Sequence, residues 1–458
     1  MAHHFHPSLL REYDMRGVFG DTLGEDDAYA LGRSFGTLVR RKGGSGVAVG
    51  YDGRLSSPRL ESALVRGLAE SGADVLRIGL GPTPMLYYAE AVQDVDGAIQ
   101  ITGSHNPADH NGFKLVLAHA PFFGPDLARL GPMAAAGDWD QGSGSVRNIS
   151  VMDRYVARLV QGFDGAAWRI GWDAGNGAAG PVVEKLVKSL PGEHHTLFTQ
   201  IDGHFPNHHP DPTIEKNLED LRALVLGKKL DFGVAFDGDG DRIGVIDGKG
   251  RIIWGDQLLG LFAEQVLKKR PGAAIVADVK SSQALFDRVA ALGGRPLMWK
   301  TGHSHIKSKM KQIGSPLGGE MTGHIMFADD YYGFDDGLYA AVRLIRSATA
   351  LGRSVTLLRD AMASLVNTPE LRFPVEEARK FAVIDDLLVR LQAQGVSVDR
   401  TDGARVITSD GWWLLRASNT QGELVARIEA KDQSGLDRLH AQLRSHLRKS
   451  GVISDGED

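Results

Sequence analysis

Apolar runs of strand length alternate with amphipathic stretches of helical period along most of the chain. Three runs near the start predict short buried strands, namely GVAVGYD, DVLRIG and GAIQIT. The segment SPRLESALVRGLAESG lies between the first two and predicts a helix, because it opens with a serine and stops at a glycine. Strands that alternate with helices in this way are typical of α/β domains with a parallel or mixed sheet.

The same arrangement recurs twice more along the chain. An apolar strand ends in a polar loop at Asp52 (VAVGYDGR), at Asp173 (RIGWDAGNG) and at Asp278 (AAIVADVKSS). Each is followed by a helix and later by a second strand with its own polar loop, and these second loops are ITGSHNP, AFDGDGDR and GGEMTGH. We therefore predict one α/β unit repeated three times, with insertions of different length.

The pattern changes after Val366. One helix (FAVIDDLLVRLQAQG), hairpin-like strands (ARVITSDGWWLLRAS and GELVARIEA) and a terminal helix (SGLDRLHAQLRSHLRK) are segregated rather than alternating, which is typical of an α+β domain. The predicted fold is therefore three related mixed-sheet α/β domains plus a C-terminal α+β domain. The expected boundaries are 1–150, 151–251, 252–366 and 367–458.

Composition excludes several classes of protein. The 458 residues exceed what one core supports, and 42% hydrophobic with 24% charged residues is the balance of a globular protein. A net charge of −5 argues against nucleic acid as the main partner. Cysteine is absent, which excludes disulfides, thiolate zinc sites and cysteine nucleophiles. Because no apolar run is long enough to span a bilayer and no signal peptide is visible, we expect a cytoplasmic protein that has no membrane partner.

The loop FDGDGDR is the strongest candidate for metal binding. Asp237, Asp239 and Asp241 follow the buried strand FGVAF, and carboxylates this close repel one another unless a cation is present. Oxygen ligands alone indicate Mg²⁺ or Ca²⁺ rather than zinc. An EF-hand is excluded because its glycine and glutamate positions hold Arg242 and Gly248. The alternative is a solvated acidic turn.

The segment TGSHNPADHNGFK places Ser104 directly after the predicted strand GAIQI. A helix N-cap is the ordinary role for such a serine, although Pro107 disfavours helix in the residues before it. A hydrolase nucleophile is not indicated, because G-x-S-x-G is missing here. A serine that carries phosphate needs a metal and nearby donors, and His105, Asn106 and Lys114 lie close in sequence.

Two further loops carry weaker evidence. GGEMTGH offers donors and acceptors for the hydroxyls of a polar ligand, and RASNT offers an arginine fork and backbone amides for an anion. An ordinary polar turn explains either loop about equally well.

Two other patterns have simpler explanations than a ligand site. Gly175, Gly177 and Gly180 satisfy the dinucleotide fingerprint G-x-G-x-x-G, but a single match is weak evidence. Three histidine pairs, at 3/4, 194/195 and 208/209, have no metal-site spacing, so we expect them in solvated loops.

Nine motifs in order resemble the α-D-phosphohexomutase superfamily, and most of all its bacterial phosphomannomutase/phosphoglucomutase members. They are REYDMRG, TGSHNP, NGFK, DGDGDR, DVKSS, TGHSHIK, GGEMTGH, FDDG and RASNT, and the resemblance spans essentially the whole chain. It implies four domains, three related and one unlike them, around one central cleft.

The resemblance also implies roles for individual residues. Ser104 would be the phosphoserine and, with Asp237, Asp239 and Asp241, would hold Mg²⁺. The implied catalytic residues besides Ser104 are Arg16, Lys114, Arg242 and His303, with His324 a further candidate for proton transfer. The implied substrate-binding residues are Tyr13, Lys280, Glu320, Thr322, His324, Arg416, Ser418, Asn419 and Thr420.

The implied activity is interconversion of hexose 1-phosphate and hexose 6-phosphate, of mannose, glucose or both, through a hexose 1,6-bisphosphate. The resemblance implies a sugar phosphate as the partner, and we expect a monomer or weak oligomer. Phosphoglucosamine mutase is the alternative, which Met321 disfavours. A phosphatase or kinase-like transferase and a non-catalytic sugar-phosphate-binding relative also stay open.

Overall fold

The computed structural model describes residues 2–419 and 421–454. Its first unit is a seven-stranded sheet with helices packed against it. The elements in chain order are β1 (Met15–Val18), α1 (Glu25–Arg41), β2 (Gly46–Tyr51), α2 (Ser57–Glu70), β3 (Asp74–Leu80), α3 (Thr83–Val92), β4 (Gly97–Ile101), β5 (His110–Leu117), β6 (Ala120–Pro121), α4 (Pro125–Ala128), α5 (Leu130–Ala136) and β7 (Val146–Asn148).

The second unit has a five-stranded sheet and two short 3₁₀ helices, Val187–Ser189 and Glu215–Leu218. Its other elements are α6 (Met152–Leu159), β8 (Trp168–Asp173), α7 (Gly180–Leu186), β9 (Gly192–Leu197), α8 (Glu219–Lys228), β10 (Phe232–Phe236), β11 (Ile243–Asp247) and β12 (Ile252–Ile253).

The third unit has a four-stranded sheet. Its elements are α9 (Gly255–Lys269), β13 (Ala274–Asp278), α10 (Gln283–Ala291), β14 (Arg295–Trp299), α11 (His303–Ile313), β15 (Leu317–Gly319), β16 (Ile325–Phe327), α12 (Gly337–Leu351) and α13 (Val355–Asp360).

The fourth unit packs two helices on a six-stranded antiparallel sheet. Its elements are β17 (Val366–Asn367), β18 (Leu371–Pro374), α14 (Lys380–Ala393), β19 (Val398–Asp399), β20 (Ala404–Ile407), β21 (Gly411–Ala417), β22 (Glu423–Ala430) and α15 (Gln433–Lys449).

The first three sheets share one strand plan. Their neighbouring strands run β5-β4-β2-β3, β11-β10-β8-β9 and β16-β15-β13-β14. In each set of four, the strand that comes first in the chain (β2, β8 or β13) pairs in parallel with a strand on either side, and the two that come last (β4 and β5, β10 and β11, or β15 and β16) form an antiparallel pair. The predicted threefold repeat is therefore confirmed. The central strands β4, β10 and β13 are buried at all five positions, which explains their continuous apolar runs.

The first unit has a hydrophobic core of its own, which includes Leu31, Phe35 and Phe113. One continuous hydrophobic core joins side chains of the first three units, among them Tyr88, Trp172 and Leu338. The fourth unit has its own core. It meets the third unit through a small apolar contact of Val279 with Trp412 and Leu414.

The G-x-G-x-x-G glycines of the second unit allow close contact between neighbouring backbone segments. A Cβ on Gly177 would lie 2.8 Å from the carbonyl oxygen of Gly238, and one on Gly180 would lie 1.9 Å from that of Thr199. Backbone packing within the unit therefore accounts for both glycines. Among the described helices, none is both long and apolar enough to cross a membrane.

Candidate active site

Polar loops from all four units meet at one place. The Ser104 loop of the first unit contacts the acidic loop of the second, and Arg242 of that loop pairs as an isolated β-bridge with His324 of the third. Asn419 of the fourth unit donates a hydrogen bond to the Tyr13 hydroxyl of the first. The parallel strands explain this convergence for the repeated units, because loops at their carboxyl ends lie at the same edge of a sheet.

The acidic loop has the composition of a site for a hard divalent cation. The carboxylates of Asp237, Asp239 and Asp241 are fully buried and lie close enough together to share one ion. The buried Oδ1 atoms of Asp239 and Asp241 accept no hydrogen bond from the described residues. Buried acceptors of this kind are costly unless a ligand satisfies them. The residues therefore fit a metal ion, and their all-oxygen donor set fits Mg²⁺.

The Lys114 ammonium bridges this triad and supplies part of the missing positive charge. Nζ lies 2.6 Å from Asp239 and 2.5 Å from Asp241. Burial alone would lower the Lys114 pKa, but the two carboxylates raise it. Burial and then Asp239 raise the Asp237 pKa well above its usual range and the Asp241 pKa to about 6, whereas Lys114 keeps the Asp239 pKa low.

Ser104 is buried and faces the triad. Its hydroxyl donates to Asp237 over 2.9 Å, and its backbone N–H donates to the Thr102 hydroxyl over 2.8 Å. Its φ of 50° is left-handed, which is uncommon for a residue with a side chain. The N-cap alternative is wrong, because turns follow Ser104 and the next element is β5. Arg16 lies beside this loop and donates to the Asn106 side chain over 3.1 Å.

Two stacked histidines of the third unit face one carboxylate. The ring centroids of His303 and His324 are 5.0 Å apart, and their Nδ1 atoms lie 3.2 and 2.9 Å from Asp335. Arg242 donates to His324 Nε2 over 2.9 Å, so the His324 proton belongs on Nδ1, facing Asp335. Burial, with Lys307 for His303 and Arg242 for His324, lowers both histidine pKa values to about 4. Both rings are therefore neutral near pH 7.

The loop 318–324 and the nearby Lys280 complete the third unit's contribution. Glu320 is buried and accepts from the Gly302 backbone over 2.7 Å. Burial and then Asp278 raise its pKa to about 7. Thr322 is partly exposed in the same loop, and Lys280 is buried and lies 2.6 Å from Glu370 of the fourth unit.

The fourth unit contributes Arg416, whose guanidinium is bound by Asp402 through Nε. Arg416 is buried and donates from Nε to Asp402 over 2.9 Å, while its Nη2 finds no hydrogen-bond partner among the described residues. Asp402 also accepts from the Thr301 backbone over 3.0 Å. Ser418 is buried two residues beyond Arg416 and accepts from the Gln421 backbone over 3.2 Å. The predicted binding residue Thr420 lies outside the described residues.

Sequence reasoning missed several residues that support these side chains. Asp335 lies in the quoted FDDG motif but had no role there, and its neighbour Asp336 caps α12 by accepting from the Tyr339 backbone. Asp402 lies in no quoted motif.

The expectation that the histidine pairs lie in solvated loops is wrong for 194/195, which lie in β9, and for 208/209, which lie in a loop but are half-buried. His208 lies 3.0 Å from the buried Asp173, and His209 donates to the His105 backbone carbonyl. Exposure depends on tertiary contacts that a local pattern does not show.

Four family models match this chain one after another. They are described as phosphoglucomutase/phosphomannomutase alpha/beta/alpha domains I, II and III and the C-terminal domain, and they match residues 7–129, 153–250, 254–365 and 370–446. The chain therefore belongs to the phosphoglucomutase/phosphomannomutase family, and the predicted fold class is confirmed.

Named relatives are similar in sequence to this chain over nearly its full length. The phosphomannomutase/phosphoglucomutase of Pseudomonas aeruginosa is 42% identical, with 96% of each chain covered. A phosphoglucomutase of Neisseria meningitidis is 40% identical, with 96% of this chain and 97% of that protein covered. A phosphoglucomutase/phosphomannomutase family protein of Burkholderia thailandensis has a solved structure that superposes with a TM-score of 0.93 at 42% identity, covering 98% of this chain and 99% of that one.

Proposed function

We propose that this protein is a phosphohexomutase that interconverts the 1- and 6-phosphates of mannose, glucose or both. The observation that carries the proposal is the hydrogen bond from the buried Ser104 hydroxyl to Asp237 of a three-carboxylate loop. A serine at this position can accept a phosphoryl group beside a cation. Full-length identity to relatives named for these substrates supports the choice of hexose.

Phosphoserine at Ser104 would donate its phosphoryl group to the free hydroxyl of a hexose monophosphate. The bond from phosphorus to the hexose oxygen forms as the bond to Ser104 Oγ breaks, and the product is a hexose 1,6-bisphosphate. The bisphosphate then turns over in the cleft and returns its other phosphoryl group to Ser104. Mg²⁺ held by Asp237, Asp239, Asp241 and the Ser104 phosphate would offset charge on the transferring group.

Phosphoryl transfer also requires a group that accepts a proton and a group that donates one. The hexose hydroxyl must lose a proton and the Ser104 oxygen must gain one. His303 and His324 are neutral near pH 7 because burial lowers their pKa, so both are candidates to accept a proton, and His324 would do so at Nε2 in place of its hydrogen bond from Arg242. Lys114 stays protonated because its carboxylate neighbours raise its pKa, so it can donate. Arg16 contacts the Ser104 loop through Asn106, Arg242 follows the acidic loop and donates from its backbone to Asp237, and both would bind the phosphoryl oxygens.

The remaining polar groups would bind the sugar and its non-reacting phosphate. Glu320, Thr322 and His324 would contact hydroxyls, and the Arg416 Nη2, which has no hydrogen-bond partner in the described part of the chain, would bind the phosphate. The full proposed binding set is Tyr13, Lys280, Glu320, Thr322, His324, Arg416, Ser418, Asn419 and Thr420. We propose the domain division 1–150, 151–251, 252–366 and 367–458, with a phosphate-binding loop on the last.

The test is mutase activity of purified protein on three substrates. Mannose, glucose and glucosamine 1-phosphates are supplied separately with Mg²⁺ and a trace of the matching 1,6-bisphosphate, and the 6-phosphate is measured. Turnover of the first two that is lost in Ser104→Ala supports the proposal. Turnover of glucosamine 1-phosphate alone would identify a phosphoglucosamine mutase, and release of inorganic phosphate without isomerisation would identify a phosphatase.

A further inference from the structure

One buried arginine holds most of the carbonyls of the Ser104 loop. Arg54 follows β2 and is fully buried. Its Nη2 donates to the backbone oxygens of Ser104 (2.8 Å) and Asn106 (2.7 Å), and its Nη1 donates to those of Pro107 and His110 (2.9 Å). A single guanidinium therefore gathers four carbonyls from seven residues of chain.

Asp52 fixes this arginine and the start of the loop together. Its Oδ2 accepts from Arg54 Nε (3.2 Å), from the Thr102 hydroxyl (2.8 Å) and from the Gly103 backbone (3.2 Å). The Arg54 guanidinium also lies over the ring of Phe205, at 5.3 Å from its centroid. Asp52 and Arg54 thus belong to a buried support that none of the roles proposed above uses.

The support explains how Ser104 keeps an uncommon backbone conformation. L-residues rarely adopt the left-handed region, so the Ser104 φ of 50° needs contacts that hold it. Arg54 binds the Ser104 carbonyl, while the Ser104 hydroxyl lies 2.9 Å from Asp237. Without the guanidinium, four carbonyls lose their donor and the loop is free to relax.

We propose that Arg54 is the positioning residue of the phosphoryl-accepting serine, acting through the carbonyls of residues 104–110. The proposal rests on the proposed function for its kinetic consequence but not for its structural one. His209 extends the same support from the second unit, because it donates to the carbonyl of His105, which lies between those of Ser104 and Asn106. Phosphoryl transfer is sensitive to such placement, since a shift of about 1 Å can cost about 10²-fold in rate.

The kinetic test compares Arg54→Met and Arg54→Lys with the wild type. The readout is the single-turnover rate constant for phosphoryl transfer from phosphorylated enzyme to mannose 1-phosphate, which does not depend on the fraction of enzyme folded. We expect Arg54→Met to lower it about 10²-fold. Arg54→Lys should restore part of the rate, because an ammonium can reach some of the carbonyls. KM should stay near the wild-type value, because Arg54 contacts none of the proposed binding groups of the third and fourth units.

The control for general loss of stability is Arg343→Met. Arg343 is equally buried, binds both oxygens of Asp329 at 2.7 Å and lies over the Phe327 ring, away from the Ser104 loop. It should lower the melting temperature and leave the rate constant unchanged. An unchanged rate constant in folded Arg54→Met, or an equal loss in Arg343→Met, would overturn the proposal.

Two further measurements keep the proposal testable if Arg54→Met does not fold or the wild type is inactive on hexose phosphates. His209→Leu should lower the rate constant, whereas His209→Gln, which keeps a donor, should not. Hydrogen exchange over residues 102–110 needs no substrate and should become faster in Arg54→Lys than in the wild type, with no change around α12. Equal protection of this loop in both proteins would show that Arg54 does not position it.

Discussion

Removing the Lys114 ammonium should make the stability of this protein depend on Mg²⁺. Lys114 and the carboxylates of Asp239 and Asp241 are almost fully buried and in direct contact, at 2.6 and 2.5 Å. Loss of one partner from a buried ion pair costs about 3–5 kcal/mol, because it leaves charge buried and uncompensated. In Lys114→Met the metal-free protein should lose unfolding free energy in that range. For a cooperative unit of 150–250 residues, a loss of that size lowers the melting temperature by about 6–20 °C.

The assay is thermal unfolding in EDTA and in millimolar Mg²⁺. A cation bound only by the folded state stabilises it by mass action. Because Lys114→Met removes a positive charge beside the proposed metal ligands, it should bind Mg²⁺ more tightly and show a larger Mg²⁺-dependent shift than the wild type. The catalytic rate should still fall at saturating Mg²⁺, since the proposed proton donor is gone.

Lys380→Met is the matched control. Lys380 is a buried lysine of the fourth unit, paired with Glu377 and with the Gln421 carbonyl. Its loss should lower stability by an amount that Mg²⁺ does not restore. Equal Mg²⁺ shifts in the wild type and Lys114→Met, or an unchanged metal-free melting temperature in Lys114→Met, would refute the role of the ammonium as a charge partner of the triad.

Three further variants probe the metal, sugar and phosphate contacts. Asp239→Asn should weaken Mg²⁺ binding, measured by calorimetry, and lower kcat; unchanged binding would remove Asp239 from the metal site. The raised Glu320 pKa of about 7 predicts that affinity for the hexose phosphate rises with pH through neutrality, as the carboxylate forms and can accept sugar hydroxyls. Glu320→Gln should bind more weakly and lose that pH dependence, and a pH profile identical to the wild type would contradict the assignment. Arg416→Ala should raise KM about 10–100-fold with little change in kcat, because a charge-assisted hydrogen bond to a non-reacting phosphate is worth about 1.5–3 kcal/mol; a normal KM would contradict the phosphate contact.

The Glu320 titration also affects stability. A carboxyl group whose folded pKa lies above its unfolded value of 4.5 binds more protons in the folded state between these two pH values. Its contribution to stability is therefore largest below about pH 4.5 and declines as the pH rises to about 7. Glu320→Gln should remove this decline, which chemical denaturation at pH 5 and pH 8 can measure.

Much of the architecture could be predicted because its evidence is local. An apolar run followed by an aspartate occurs three times in the sequence and predicts the repeated unit. The acidic triad could likewise be predicted, since three alternating carboxylates after a buried strand repel one another wherever the chain folds. The residues that hold these side chains and loops in place are harder to predict from the sequence. Arg54 binds backbone oxygens about 50 positions away in the sequence. Because every residue has a backbone carbonyl, the sequence does not show which carbonyls an arginine will bind.

Other contacts join units rather than neighbours in sequence. Asp335 was within a recognised motif, but nothing local showed that two histidines and a lysine would face it. Asp402 binds Arg416 and the Thr301 backbone, so its role depends on how the fourth unit docks on the third. Motifs therefore predict the groups that we propose to carry chemistry, whereas the groups that hold them in place are visible only in the structure.

The strand plan itself explains why the repeated aspartates support the site rather than act in it. The aspartate ends or directly follows β2, β8 or β13, and the adjacent parallel strand carries a loop of the proposed site at the same edge of the sheet. An aspartate there can accept hydrogen bonds from the neighbouring loop, as Asp52 does from Gly103 and Asp278 does from Met321. Asp173 instead binds Gly175 of its own loop, and that loop contacts the acidic loop through one backbone hydrogen bond, from Ala178 to Gly238. One inherited support could thus serve three different chemistries, while the fourth unit, which lacks this strand plan, orients its arginine with an aspartate from a hairpin turn.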